Sequence, residues 1–321
     1  MDTVLSVRNL KTYFFTPAGV VKAVDGVSFD LRKGECLSLV GESGCGKTAS
    51  ALSILRLLDS RPGRIVGGEV TYRGEDLLKY PEVRLMSIRG NKIAMIFQDP
   101  QASLNPVFTV GDQIVEGVKL HLKLDDAAAR QKAINIMKQL GIPSPEARFR
   151  DFPHQFSGGM QQRVMIAMAL SCDPEVLIAD EPTTALDVTI KVQILDIFKE
   201  LKKDRQMSII FITHDLGVVA EIADRVVVMY GGRVAEAAPV LDLFDNPKHP
   251  YTVGLLNCLP DLSTTRERLT PIPGTIPNLI GSVPGCIFAP RCPSVMPACA
   301  EAPPTVTLSP DHYVVCHLYC R

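Results

Sequence analysis

The chain carries 321 residues, with 34 Lys+Arg against 35 Asp+Glu and a formal net charge of −1, enough for one large domain or two ordinary ones, each with its own core. So balanced a charge leaves no electrostatic footprint for nucleic acid. The opening MDTVLSVRNLKTYFF lacks the basic region, apolar run and cleavage site of a secretory signal, and no apolar run approaches the roughly 18 residues of a membrane span, so the chain is expected to stay in the cytoplasm. Thiols are held reduced there, which makes metal binding or simple burial a better expectation than disulfides for the nine cysteines. Cys36, Cys45, Cys172 and Cys258 stand far apart and read as small buried hydrophobes.

In chain order, the first ninety residues read as short β-runs broken by turns: TVLSVRNL, VVKAVDGVSFDL, then LSLV entering a glycine-rich loop, with TASALSILRLLDS following at helical period. From about Asn105 to Phe156 the pattern becomes mainly helical, with Asp125 or Asp126 as N-cap of AAARQKAINIMKQL and Gly141 as its C′ residue. Apolar strand runs return at VLIAD, SIIFIT and RVVVMY, separated by helical stretches such as VTIKVQILDIFKELKKD, the pattern of a parallel sheet covered on both faces. After Pro239 the character shifts. Ten prolines between Pro271 and Pro310 predict a compact appendage built of loops rather than more sheet.

Three stretches carry chemistry. GESGCGKT (Gly41, Glu42, Ser43, Gly44, Cys45, Gly46, Lys47, Thr48) fits G-x-x-x-x-G-K-[ST] directly after an apolar strand and, with Ala49 next, directly before a helix. Glycines let backbone N–H groups curl around phosphates, the helix N-terminus adds partial positive charge, Lys47 would reach the β- and γ-phosphates, and the Thr48 hydroxyl would bind Mg²⁺. VLIADEP ends a buried strand in Asp180, placed to hold Mg²⁺, and Glu181, placed to polarise an attacking water. SIIFITHD delivers His214 to the same kind of strand edge, where an imidazole could touch the γ-phosphate.

With these residues in order, FSGGMQQR (Phe156 to Arg163) resembles the signature of ATP-binding-cassette ATPases, and the succession of phosphate loop, IFQD, signature, DE strand, ALD and TH is similar to that family over residues 1 to about 235. The resemblance implies Phe14, or else Tyr13, stacking on adenine, and Gln98 sensing Mg²⁺ and the nucleophilic water. It implies Ser157, Gly158, Gly159 and Met160 meeting the γ-phosphate of ATP held by an opposite subunit, and Asp187 communicating across that dimer. Met160 stands where the commonest signature has Gln, which leaves the serine, both glycines and the helix end. Ser157 also suits the N-cap of GMQQRVMIAMAL.

The expected fold is therefore α/β: a P-loop NTPase of cassette type over 1–235, with a RecA-like parallel core, an antiparallel β subdomain and a helical subdomain at about 100–157, plus a loop-rich metal-binding extension over 236–321. IFQDPQASLNPVFTVGDQI, DFPHQFSGGMQQR and FDNPKHPYTVGLLNCLP are similar to cassette subunits of bacterial dipeptide, oligopeptide and nickel importers. That resemblance implies ATP hydrolysis with Mg²⁺ at a dimer of cassettes, two permease subunits, an extracytoplasmic peptide-binding protein and a peripheral position at the cytoplasmic face of the membrane. The partner cassette would be a second copy or, by mild preference, a different chain. Cassette ATPases of DNA repair or translation are the competing class. They carry long coiled coils, zinc modules or two cassettes, whereas this insertion is short and there is one phosphate loop.

Cys286, Cys292, Cys299 and Cys316, spaced C-x5-C-x6-C-x16-C, lie in a stretch too rich in Pro and Gly to be expected to hold itself together by burial alone. The gaps suit a cubane cluster better than zinc, though both stay open. GCIFAPRC resembles the extension of peptide-importer cassettes, some of which carry a 4Fe–4S cluster, and favours that ligand; Cys320 and His317 are near enough to substitute but stand at the extreme end.

Overall fold

The computed structural model describes residues 2–58, 62–184, 186–258, 271–281 and 284–320. The chain forms two compact units, one of residues 1–32, 36–78 and 212–321, the other of residues 33–35 and 79–211.

In the first unit the β-runs are longer than their sequence suggests. Thr3–Thr16 and Gly19–Arg32 are antiparallel strands of 14 residues each, closing at Thr16 opposite Gly19 and interrupted by several register shifts. Gly63–Tyr72 pairs antiparallel on the other side of Thr3–Thr16. Val7, Leu10, Val24, Val27 and Val70 are fully buried, which fixes the register: a slip by one residue would turn that apolar set outward. A second sheet pairs Cys36–Val40 in parallel with Arg225–Tyr230, and all five residues of CLSLV are buried, as a strand covered on both faces requires. The next strand, Arg233–Pro239, runs antiparallel.

The C-terminal region departs from expectation. The hairpin Thr305–Ser309 and His312–Val315 extends this sheet, Glu236 lying opposite Val314 and Ala237 opposite Tyr313. So the appendage does contribute more sheet. HYVV buries alternate residues, a period too short to stand out among prolines, and Glu236 draws it in. Completely buried, the Glu236 carboxylate accepts from the backbone N–H groups of Lys248 and His249 at 2.9 and 2.8 Å and lies 2.8 Å from His312 Nε2. Nor does the Pro-rich stretch lack a hydrophobic anchor. Phe288, 2% exposed, packs with Tyr230 and Tyr251 at ring-centroid distances of 5.1 and 5.4 Å, in a core that also holds Val40, Val226 and Leu243. Burying one such ring contributes about 1.5–3 kcal/mol, and each aromatic pair about 0.5–1.5 more.

In the second unit Ile93–Ile96 pairs in parallel with Val176–Asp180. The expected helical region is a set of separate helices. Val110–Leu122 is capped by Thr109, and Asp126–Gln139 by Asp125, whose carboxylate accepts from Ala128 N–H at 2.8 Å. Gly141, at φ 68°, follows the end of the second helix as its C′ residue. Gly158–Leu170 and Val188–Arg205 complete the unit's long helices. Among the described residues, no helix is long and apolar enough to cross a membrane.

Candidate active site

Gly41–Thr48 connects the buried strand Cys36–Val40 to the helix Lys47–Ile54. The loop needs its glycines. At Gly41, with φ 147°, a Cβ would come within 2.2 Å of the Met229 carbonyl, and at Gly46, with φ 102°, within 2.2 Å of the Ala23 carbonyl. The helix therefore starts on a left-handed glycine, with no side chain between its first N–H groups and an anion. Lys47 is buried, and its ammonium donates to the carbonyls of Gly41 at 2.8 Å and Glu42 at 3.2 Å, which holds the charge back over the loop. Ser43, Gly44 and Thr48 are exposed, and Ala49 sits in the first turn of the helix. Cys45 is buried beneath the loop, and its thiol pKa is raised by that burial.

In the same unit, His214 is exposed directly after the strand Ser208–Ile212, just before the helix Leu216–Ile222 that Asp215 caps. Tyr13 and Phe14 are half-buried on Thr3–Thr16. The Tyr13 hydroxyl donates to Asp25 at 2.8 Å, and burial, helped by that carboxylate, pushes its pKa up to about 12. A cavity of about 940 Å³ in this unit is lined by Arg8, Asp30, Arg32 and Tyr313 and by no residue of Gly41–Thr48, so it is separate from the phosphate loop.

The second unit gathers the other candidates. Asp180 ends its strand 2% exposed, and Glu181 follows at φ 47°, a left-handed conformation uncommon for a residue with a Cβ. Gln98 Nε2 donates to its Oε2 at 3.1 Å, and Thr184 Oγ1 donates to the same oxygen at 2.9 Å. The tertiary structure thus joins Gln98 and Glu181 across 83 positions of sequence. Thr184 is a partner that motif reading passed over; its signal was the spacing of three residues after Glu181, one turn away.

Ser157 occupies the N-cap position of Gly158–Leu170, yet its hydroxyl makes no capping bond. Ser157 and Gly158 are exposed at the helix start, and Met160 is half-buried. A Cβ on Gly159 would lie 2.8 Å from Ile190, so this glycine lets the signature helix approach Val188–Arg205 closely. Asp187 caps that second helix, accepting from Ile190 N–H at 2.9 Å, and Arg163 ties the two together by donating to Gln193 at 2.7 Å.

Cys286, Cys292 and Cys299 are half-buried and Cys316 is buried. Cys286 N–H donates to the Cys299 carbonyl at 2.9 Å, and Cys286 and Cys292 both pack on the core around Phe288. Burial raises the thiol pKa of Cys316 first, and the charges of Cys286, Cys292 and Cys299 raise it further. Still, among the described residues no group of three or more His, Cys, Asp or Glu is arranged to hold a metal ion. The expected metal-binding character of the extension is therefore not established by the fold.

A phosphate loop between buried strand and helix, a carboxylate pair ending a second buried strand and a Ser-Gly-Gly helix start define an ATP-binding cassette. Residues 24–184 match the ABC transporter family, and residues 235–299 match the oligopeptide/dipeptide transporter C-terminal region. The chain belongs to the ATP-hydrolysing subunits of ABC transporters, in the branch that carries this C-terminal region. It is 50% identical over 315 residues to the dipeptide transport ATP-binding protein DppD of Bacillus subtilis, covering 98% of this chain and 94% of that protein. With the oligopeptide transport ATP-binding protein AppD of the same organism it shares 49% identity, over 99% and 98% of the two chains. Among solved structures, a dimeric ATP-binding cassette in a post-hydrolysis state with ADP and phosphate superposes with a TM-score of 0.67 at 25% identity, over 74% of this chain and 98% of that one.

Proposed function

We propose that the chain is the ATPase of an importer of dipeptides or oligopeptides, peripheral at the cytoplasmic face of a membrane, working as a cassette dimer on two permease subunits that an extracytoplasmic binding protein supplies. The observation that carries this is near-complete coverage of peptide-transport relatives, C-terminal region included. A partner cassette of different sequence is preferred to a second copy.

In this reading the amides of Gly41–Thr48 and Lys47 hold the β- and γ-phosphates, Phe14 or Tyr13 stacks on adenine, and His214 touches the γ-phosphate. The hard oxygen donors Thr48, Asp180 and Gln98 suit Mg²⁺, which neutralises phosphate charge when bound. Glu181 takes the proton of the attacking water, with Gln98 and Thr184 orienting its carboxylate, and Ser157 to Met160 with Asp187 act across the dimer. ATP binding would join the cassettes and hydrolysis release them. The test is reconstitution with the cognate permease in vesicles: dipeptide-stimulated ATP hydrolysis is expected, and stimulation by nickel ions alone would redirect the reading.

For the appendage we favour a structural 4Fe–4S cluster on Cys286, Cys292, Cys299 and Cys316. What supports this reading is the spacing C-x5-C-x6-C-x16-C, whose gaps suit a wide cubane better than a tight tetrahedral zinc site, together with the resemblance of GCIFAPRC. Anaerobically purified protein should carry about four irons. One zinc per chain would replace the cluster, and absence of both metals would remove the site.

A further inference from the structure

Arg291 lies between two of the clustered cysteines, closing the 3₁₀ turn Ala289–Arg291 that begins after Phe288 and ends at Cys292. Its side chain is only 4% exposed, and the whole guanidinium is engaged. Nη1 and Nη2 donate to the two carboxylate oxygens of Glu42 at 2.6 and 3.0 Å, a bidentate pair with the second residue of the phosphate loop. Nε donates to the Pro273 carbonyl at 2.9 Å, Nη2 also to Ile272 at 3.2 Å, and Nη1 to the Tyr230 hydroxyl at 3.3 Å. Glu42 is held a second time, since its backbone N–H donates to Tyr251 Oη at 2.8 Å. Tyr251 and Tyr230 are the rings on which Phe288 packs.

One carbonyl of this restrained residue meets Lys47. The lysine donates to the loop carbonyls of Gly41 and Glu42 and, at 3.8 Å, to Cys45 Sγ, so a shift of Glu42 moves the cation that faces the phosphates. A bare ion pair could drift without consequence. A planar fork locked by three further acceptors cannot, and its position is dictated by the turn between Cys286 and Cys292.

We propose that Arg291 is a positioning residue for ATP binding: through Glu42 the cysteine-rich appendage sets the shape of the phosphate loop and thereby its affinity for nucleotide. This requires only that the loop binds ATP, and it holds whether or not the cysteines carry a metal.

The test is titration of the full chain with a fluorescent N-methylanthraniloyl ADP and Mg²⁺, displaced by ATP, alongside steady-state hydrolysis. Arg291→Met should weaken ATP binding and raise KM roughly 5- to 50-fold, the usual size of such couplings, while kcat at saturating ATP stays within about twofold. Arg291→Lys, which keeps charge but loses the fork, should recover part of the affinity. Glu42→Gln should weaken binding as well, and the double variant should be no worse than the worse single one. ATP affinity within about twofold of the parent in Arg291→Met would overturn the proposal, as would full additivity of the two substitutions. Should Arg291→Met fail to fold, Glu42→Gln leaves the arginine's other bonds in place, and unchanged affinity there is equally decisive.

Discussion

The two turns that follow fully buried five-residue strands solve one backbone problem in opposite ways. After Cys36–Val40 the chain enters a left-handed conformation at Gly41, and after Val176–Asp180 it does so at Glu181. The phosphate loop presents backbone N–H groups, so a side chain there would be an obstruction, and glycine adopts the conformation at little cost. In the role proposed for Glu181 the second turn presents a carboxylate, which glycine cannot supply. It bears a strain of about 1–3 kcal/mol and is held by the bonds from Gln98 and Thr184. The loop's own support is different again: Arg291 and Tyr251 hold Glu42, and both come from beyond residue 250. A scaffold for binding charge is thus braced by packed, buried groups. The turn proposed to take a proton is held instead by polar contacts from Gln98 and Thr184.

Breaking the second turn should have the largest effect. Glu181→Gln keeps the shape but removes the proposed base, and hydrolysis should fall by roughly 10²- to 10⁴-fold with ATP still bound and the dimer trapped. Size-exclusion chromatography with MgATP beside a phosphate-release assay would show this, and retained hydrolysis would shift the role to His214. Next, Phe288→Ala removes the ring that anchors the appendage and should cost about 3–5 kcal/mol, read as a lower denaturant midpoint; an unchanged midpoint would mean the loop's brace does not depend on that core.

Acid should loosen the same region. His249 is 4% exposed, its Nδ1 accepts from Tyr251 N–H at 3.0 Å, and burial lowers its pKa from 6.5 to about 4. Between those values the unfolded chain binds a proton that the folded site refuses, so stability is full above pH 6.5 and falls as pH drops toward 4, by a few kcal/mol. Denaturant titrations at pH 7.5 and 5 should show the decline and His249→Gln should flatten it; an equal decline in that variant would assign it to other groups.

On the loop itself, Lys47→Ala should weaken ATP binding by roughly 1.5–3 kcal/mol, the worth of a charged hydrogen bond, measured by equilibrium titration. The smallest effect is expected from Thr184→Ala, which leaves Glu181 with its Gln98 contact. A loss of about 0.5–1.5 kcal/mol in transition-state stabilisation, seen in kcat and not in ATP affinity, would sharpen the distinction between the turns.

What the chain's local order determined was whatever repeats or closes within a few residues. GESGCGKT between a strand and a helix, the buried runs CLSLV and VLIAD, the Asp125 cap and the signature helix start were all legible, because period, glycine and capping chemistry act over one or two turns. Only the tertiary structure could decide what touches across long separations. It brought Gln98 to Glu181, laid HYVV beside Arg233–Pro239, and set Arg291 against Glu42, 249 positions away. Such meetings depend on how buried faces pack once formed. A proline-rich tail without periodicity gives no warning that Arg291 will find a carboxylate in the phosphate loop.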